Sequence, residues 1–418
     1  MTPERMFQEL LGLGLNWEVT ESRFDRQSAT VVLEIRETAR LWESERCPQE
    51  GGLVYCYDHT EELVWRHLNV FQHRCEIRCR LPRKKCRQCG GVYRVRPPWE
   101  GLSGHFSREF EAYALLLMRE MPVSQVGKLV GEGDTRLWRM LFKQVEAAYA
   151  EADFSNVCCV GVDELNIRKG QEYVSVFADL LAKRVIFATE GKDSSTWERF
   201  VQAQEAHHGH RHAITQASMD MSLADQSGVA RTCRNAQVVF DKFHVICQAN
   251  QAVDKVRRAE VRFGARGAGR ALRRSQWLWR KNPENLTQKE QARMDQLDQE
   301  NLCTAKAYQM RFCLQDIYRL ENVQEAKHRF RAWCRWVQWV AQKHVSLIFQ
   351  SMLKVAYMIE NNLQGILAHW KWRLTNAFME GLNSLFQATK RKARGYRSSE
   401  YLITMLYFVA GKLRLPHS

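Results

Sequence analysis

Three carboxylates in this chain sit where a metal-dependent reaction could use them. Asp163 closes the apolar run Val157-Cys158-Cys159-Val160-Gly161-Val162, and Asp220 closes the shorter run Ile214-Thr215-Gln216-Ala217-Ser218-Met219. Glu380 lies in Asn376-Ala377-Phe378-Met379-Glu380-Gly381-Leu382-Asn383, just ahead of a basic stretch. Apolar runs rich in Val read as strands buried on both faces, so each Asp would stand at the exposed end of a rigid support. Alone, either Asp is most simply a residue that caps or turns a strand end. With Glu380 they make a set of hard oxygen ligands that suits Mg2+ or Mn2+. Two such ions, held about 3.5–4 Å apart, can activate a water or a 3′-hydroxyl and stabilise the leaving oxygen of a phosphodiester. The expected catalytic and metal-binding set is Asp163, Asp220 and Glu380. Asp241 also ends a strand and rivals Asp220 as the second acid; otherwise Asp241 and His244 are outer partners of the site or ordinary turn and core residues. Glu164 directly follows Asp163, so on a strand it points to the opposite face and reads as structural.

The cysteines point to a second metal chemistry. Cys86-Arg87-Gln88-Cys89-Gly90-Gly91 is a zinc knuckle: two thiolates three apart, followed by Gly, let one tight turn offer both sulfurs to a tetrahedral ion. The upstream half, Cys47-Pro48-Gln49-Glu50-Gly51-Gly52, has the turn but carries Glu50 where a second Cys is expected. The expected zinc ligands are Cys47, Glu50, Cys86 and Cys89, with Cys56 or His59 as alternatives. The competing reading is a fold that has lost its ion and stands on its strands. Trp65–Val70 and Cys75–Leu81 read as hairpins of the same zinc-ribbon-like module, with basic residues on one face.

Charge says what these sites would meet. The 418 residues carry a net charge of +15, which favours a polyanionic partner, nucleic acid before anionic membrane. A hydrophobic fraction of 45% with 26% charged residues is that of a globular chain with a real core. No run approaches the roughly 20 apolar residues of a membrane helix, and the N-terminus lacks the layout of a signal peptide. A cytoplasmic protein is expected, its 13 cysteines thiols or metal ligands rather than disulfides. There is no GxxxxGK[ST] loop, so ATP-driven chemistry has no support.

The elements that must position these residues follow from periodicity. After the β module, helices are expected over Phe110–Met118, Val123–Val130 and Thr135–Ala148, with Pro122 as a breaker and Asp134 as an N-cap. Helix, sharp turn, helix is helix-turn-helix geometry, and Arg136, Arg139 and Lys143 share one face of the third helix as candidate DNA contacts. Strands Val157–Asp163, Glu172–Ala178 and Arg184–Thr189 should form an antiparallel meander. A helix over Ser194–Ala206, a strand over Ala213–Met219, a helix over Leu223–Thr232 and a strand over Ala236–Asp241 complete the order βββαβαβ. That is the order of an RNase H-like core, a mixed five-stranded sheet in which the first and fourth strands are neighbours, so Asp220 is preferred to Asp241. Between Lys255 and Arg280 nine residues are basic and one, Glu260, is acidic, which reads as a phosphate track. Thr287-Gln288-Lys289-Glu290 is a capping box. Trp-rich helices run to about residue 373. Five of the eight residues from 390 to 397 are basic (Lys390, Arg391, Lys392, Arg394 and Arg397), a further candidate DNA contact. A last apolar helix, Tyr401–Val409, should pack on the sheet. The expected α/β architecture has a zinc-ribbon-like module (1–100), a helix-turn-helix (101–155), the first part of the core (156–250), an all-helical insertion (251–372) and the final part of the core (373–418).

Gly161-Val162-Asp163-Glu164, Ser218-Met219-Asp220-Met221-Ser222, Phe240-Asp241-Lys242-Phe243-His244-Val245, Thr375-Asn376 through Glu380-Gly381-Leu382-Asn383, and Lys390–Tyr396 together resemble the DDE transposases of the ISL3 insertion-sequence family. The likeness extends to the knuckle, Trp65-Arg66-His67-Leu68 and Met121-Pro122-Val123, and so runs from about 45 to 413. The resemblance implies a bacterial, nucleoid-associated enzyme. Its N-terminal region would bind the terminal inverted repeats of double-stranded DNA. Its RNase H-like core, with Asp163, Asp220 and Glu380 as triad, would cut and join strands with Mg2+ or Mn2+. Strand transfer joins two ends, so a homodimer or higher oligomer on DNA is expected. Glu50 departs from the family's zinc-binding Cys, which bears on zinc ligation and not on catalysis. The alternative is a DNA-binding regulator that keeps the fold without the chemistry.

Overall fold

The computed structural model describes residues 2–168, 172–264, 269–270, 272–299, 302–343, 346–372, 377–393 and 395–416. The chain divides into two compact units, Met1–Ala152 with Phe386–Ser418, and Asp153–Leu385.

The first unit opens on α1 (Pro3–Leu10), capped by Thr2, then the hairpin β1 (Trp17–Asp25) and β2 (Thr30–Glu37). A short α2 (Leu41–Ser44) leads to β3 (Val54–His59), β4 (Leu63–Val70), β5 (His73–Cys79), β6 (Pro82–Cys86) and β7 (Val92–Arg94). These strands do not make the single module expected. They sort into a four-stranded sheet, β1-β2-β5-β4, and a three-stranded sheet, β3-β6-β7. Apolar burial explains the split. Val19, Ile35, Trp65, Ile77 and Trp99 share one core, and β2 runs parallel to β5 to close it. The smaller sheet has only a satellite core of Cys47, Val54 and Cys86.

Three helices follow, α3 (Arg108–Glu120), α4 (Val123–Val130) and α5 (Asp134–Ala150). Ser107 caps α3 by accepting from the Phe110 N–H at 3.2 Å. Gly131, at φ 71°, ends α4 in the left-handed conformation that glycine adopts without strain. Helix α5 begins one residue earlier than expected, with Gly133 as N-cap and Asp134 inside the first turn.

In the second unit β8 (Cys159–Arg168), β9 (Glu172–Asp179) and β10 (Arg184–Glu190) form the expected antiparallel meander. After α6 (Ser195–Ala206), β11 (Gln216–Met219) lies parallel to β8, and after α7 (Leu223–Thr232), β12 (Gln237–Phe240) lies parallel to β11. The strand order is β10-β9-β8-β11-β12. Trp197 and Phe200 of α6 cover Phe177 of β9, the two Phe rings stacked at 4.6 Å.

The helical segment contains α8 (Lys242–Phe263), α9 (Gln288–Gln299), α10 (Cys303–Ile317), α11 (Val323–Lys343), α12 (Ser346–Asn361) and α13 (Leu363–Trp372). The capping box forms: Thr287 N–H donates to Glu290 Oε2 at 2.9 Å, and Glu290 N–H to Thr287 Oγ1 at 3.4 Å. The expected phosphate track is partly neutralised from within. Asp254, just ahead of the window, takes Arg257 at 2.8 Å, Arg258 at 3.2 Å and Arg280 at 4.0 Å. Glu260 is buried and accepts from the Cys303 and Thr304 N–H groups at 2.7 Å, capping α10.

Helix α14 (Ala377–Lys392) starts in the second unit and ends in the first, and α15 (Ser399–Ala410) belongs to the first. The segment 373–418, expected as one piece of the core, is therefore divided near residue 385. The last helix packs on α5 within the first unit. Tyr401 lies 4.6 Å from the Trp138 ring and 5.1 Å from Phe142, and Tyr407 lies 4.5 Å from Tyr149, so the aromatic face of α5 is what it covers.

Candidate active site

Strand pairing brings the first two acids together. In the β8–β11 ladder Ser218 pairs with Gly161, so two residues further on, just past the end of β11, position 220 comes level with 163. Asp163 is half-buried; burial, aided by the negative charge of Asp220, pushes its carboxyl up to about 6. Its Oδ1 accepts from the Glu164 N–H at 2.7 Å, and Oδ2 accepts a hydrogen bond from Asn383 Nδ2 of α14. Asp220 is 40% exposed at the side chain and pairs through Oδ1 with His244 Nδ1 at 2.7 Å. That contact, working against burial, holds the His244 imidazole above its ordinary range. Neither Asp163 nor Asp220 pairs with a Lys or Arg among the described residues. Two adjacent acids without such a partner make a donor set that fits a divalent cation.

Asp241 is used differently. Its carboxylate accepts from the Phe243 N–H at 3.0 Å and so N-caps α8, which carries His244 toward Asp220. Glu164 faces away from Asp163, as alternation requires, and burial raises its carboxyl.

The Glu380 side chain lies outside the described residues, but its backbone belongs to α14, and its neighbours on that helix touch β8. Asn383 reaches Asp163, and Met379 packs over Gly161 so closely that a Cβ there would lie 3.1 Å from the Met379 sulfur. Neither Asn383 nor Gly161 stood out in the sequence beyond being part of a motif. The signal for Asn383 was its spacing of three from Glu380, one helical face.

A cleft of about 780 Å3 opens beside Asp220, Glu164 and His244. Lys192 after β10, Lys255 of α8 and Lys354 of α12 line it, with Met221, Val355 and Met358 as apolar floor. Lys255 opens the expected phosphate track, whereas Lys192 and Lys354 carry no signal in the sequence, because the three converge from segments far apart in the chain.

In the first unit Arg136, Arg139 and Lys143 line one hollow of about 260 Å3 with His105 and Phe106. Arg136 is also paired with Glu132 at 2.6 Å. In the basic tail Arg391 and Arg397 are exposed and Lys390 half-buried; the Lys392 side chain and Arg394 lie outside the described residues.

The donor atoms of Cys47, Cys86 and Cys89 lie within 4.8 Å of one another and could hold a zinc ion. The Gln88 and Gly91 N–H groups donate to the Cys86 and Cys89 sulfurs at 3.3 and 3.4 Å. The Glu50 carboxylate is not part of this group. Its backbone N–H donates to the Cys47 sulfur instead, the main cause that brings that thiol down to about 7. Cys56 and His59, the expected alternatives, lie elsewhere, beside Glu37.

Residues 160–406 match a family profile described as transposase, of the DDE type in family ISL3, and residues 103–141 match the helix-turn-helix domain of transposase family ISL3. The chain is 26% identical over 375 residues to the transposase for insertion sequence element IS1001 of Bordetella parapertussis, covering 89% of each. It is 23% identical over 436 residues to the transposase for insertion sequence element IS1557 of Mycobacterium tuberculosis, covering 96% of this chain and 94% of the relative. With well over half of its length matched by the transposase profile, the chain belongs to the ISL3 family of DDE transposases.

Proposed function

We propose that this chain binds the terminal inverted repeats of an insertion sequence and performs divalent-metal-dependent strand cleavage and strand transfer through Asp163, Asp220 and Glu380. The observation that carries this reading is the meeting of Asp163, Asp220 and the start of α14 at one end of the β8–β11 pair. Glu380 precedes Asn383 by three residues and follows Met379, and both of those touch β8, which supports Glu380 as the third acid. The strand order supports an RNase H-like core over 156–250, interrupted by the helical insertion 251–372 and resumed by the start of the segment 373–418.

Each residue then has a task. Asn383 donates to Asp163 and fixes its rotamer, and His244 does the same for Asp220. Lys192, Lys255 and Lys354 offer cations to the phosphates of the strand being cut. Mg2+ or Mn2+, when bound by the three acids, supplies Lewis acidity to the scissile phosphate. In the first unit the helix-turn-helix of 101–155 reads the terminal repeat with Arg136, Arg139 and Lys143, beside a zinc-ribbon-like module within 1–100. The basic end of α14 with Arg397 adds phosphate contacts. Joining two ends requires at least a dimer on DNA.

The test is cleavage of a labelled duplex carrying the element end, with Mg2+ or Mn2+ against EDTA. Cleavage should need metal and be lost in Asp220→Asn, while Asp241→Asn, which alters the cap of α8, keeps it. Loss in Asp241→Asn alone would move the second acid to Asp241. Binding without cutting in any metal would favour a catalytically silent DNA-binding regulator.

A separate measurement addresses the helix-turn-helix. The double variant Arg139→Ala/Lys143→Ala should weaken binding to end and random duplex alike. It should also lower the salt slope of log K by about 2, one for each phosphate no longer neutralised. An unchanged slope would remove these residues from the DNA interface.

A further inference from the structure

We propose that Glu37, Cys56 and His59 form a second zinc site in the first unit, separate from the Cys47–Cys86–Cys89 cluster and independent of the catalytic reading. Glu37 is the last residue of β2, in the four-stranded sheet; Cys56 and His59 lie on β3, in the three-stranded sheet. One donor atom from each lies within 4.8 Å of the other two. A tetrahedral ion with bonds of about 2.0–2.3 Å needs its ligand atoms about 3.3–3.8 Å apart, so small side-chain rotations close the site.

Two features show that the arrangement is built rather than accidental. First, residues three apart on a regular strand point to opposite faces. The β3–β6 pairing shifts register between Cys56 and Asp58, and a bulge of this kind turns Cys56 and His59 to the same side. Second, Glu37 is left half satisfied. Its Oε1 meets His59 Nε2 at 2.7 Å, but its Oε2 is buried and meets no hydrogen-bond partner among the described residues, on a side chain only 10% exposed. A buried carboxylate oxygen without a donor is costly, and a cation between Glu37, Cys56 and His59 would satisfy it.

The donor set selects the metal. One thiolate, one imidazole and one carboxylate are the ligands of zinc, whereas Mg2+ and Ca2+ take oxygen alone. Cys56 and His59 are exposed, so the ion can enter from solvent, and the Cys56 thiol proton leaves to water as the sulfur binds. Three protein ligands leave a fourth position for water. Bound there, the ion would tie the end of β2 to β3 and so join the two sheets.

The experiment is metal analysis of the purified full-length chain after zinc loading and gel filtration. Wild type should hold one more zinc ion per chain than either Cys56→Ser or His59→Ala, and Cys86→Ser should lose a different ion. Circular dichroism checks that the variants remain folded. Cobalt loading of Cys86→Ser gives a second readout. A thiolate-to-cobalt absorption band should be present and should vanish in Cys86→Ser/Cys56→Ser. If Cys56→Ser and His59→Ala hold as much zinc as wild type, or if the cobalt band of Cys86→Ser survives the loss of Cys56, the proposal is overturned. A wild type with a single ion that disappears in Cys56→Ser but persists in Cys86→Ser would still support it.

Discussion

Asp163→Asn is expected to abolish strand cleavage and, in metal-free buffer, to make the protein more stable. The two effects have one cause. Asp163 is held on β8 with the Asp220 charge close by, and burial pushes its carboxyl from an ordinary 3.8 up to about 6. An acid whose folded value is raised destabilises the fold once it ionises. The penalty is absent below about pH 4, grows between pH 4 and 6, and is complete above. From 3.8 to about 6 it amounts to at most about 3 kcal/mol at neutral pH. An Asn has one acceptor oxygen where Asp163 uses two, for Glu164 and Asn383, so about 1 kcal/mol returns as a lost hydrogen bond. A net gain of about 1–2 kcal/mol remains. Cleavage should fall by about 10³-fold or more, since an ion's stabilisation of transition-state charge amounts to several kcal/mol. Thermal unfolding in EDTA at pH 5 and pH 8, beside a cleavage assay, checks both. Wild type should lose stability between these values, and the variant should lose less. A variant that is both inactive and less stable would make Asp163 a structural residue and sink the metal reading.

That expected opposition of stability and activity would explain why some of the proposed site was legible in the sequence. An Asp closing a run such as Val157–Val162 conflicts with the apolar pattern around it, and such conflicts mark functional positions. The five-stranded order was legible too, because short connectors force an antiparallel meander and the segments carrying helices α6 and α7 allow the later strands to run parallel. Asn383 was not, since an amide on a helix resembles any solvated polar residue until the strand beneath it is known. The split of the N-terminal strands was hidden by the parallel pairing of β2 with β5, which joins residues more than 40 apart and leaves no local trace. Glu37 was missed for a related reason. It stands 19 residues ahead of Cys56, outside any knuckle spacing, and only the bulge in β3 turns Cys56 and His59 to one side. The basic run from Lys255 to Arg280 is less lopsided than it reads, because Asp254, one residue ahead of it, gathers three of the arginines.

Glu132→Ala is expected to be the most destabilising single truncation in the helix-turn-helix region. Glu132 sits in the turn Gly131-Glu132-Gly133, where its sequence context suggests a solvated loop residue. Its side chain is instead 2% exposed and faces three arginines: Arg66 at 3.4 Å, Arg74 at 2.7 Å and Arg136 at 2.6 Å. Arg66 is equally buried, and burial, with Arg74 nearby, brings its guanidinium down to about 10 while Glu132 opposes the fall. Arg66 also donates to the Val130 carbonyl at 2.9 Å, so it clamps the end of α4 to the four-stranded sheet. Gly127 permits the turn to fold back, since a Cβ there would lie 2.6 Å from the Glu132 carbonyl oxygen. Removing the carboxylate leaves a buried cation without its main anion, a loss of about 3–5 kcal/mol. For a unit of this size that is a fall of about 10 °C in melting temperature. Glu9→Ala, which breaks only the exposed pair with Arg5 at 3.6 Å, should shift stability by less than about 0.5 kcal/mol and serves as the control. Glu132→Gln keeps acceptor and shape without charge and should fall between the two. Binding of the element end should decline with Glu132→Ala in step with unfolding, because the turn that sets the angle of α5 is what the network holds. A change below about 1 kcal/mol would mean that water reaches Arg66 and that packing alone, not this cluster of charges, fixes the turn.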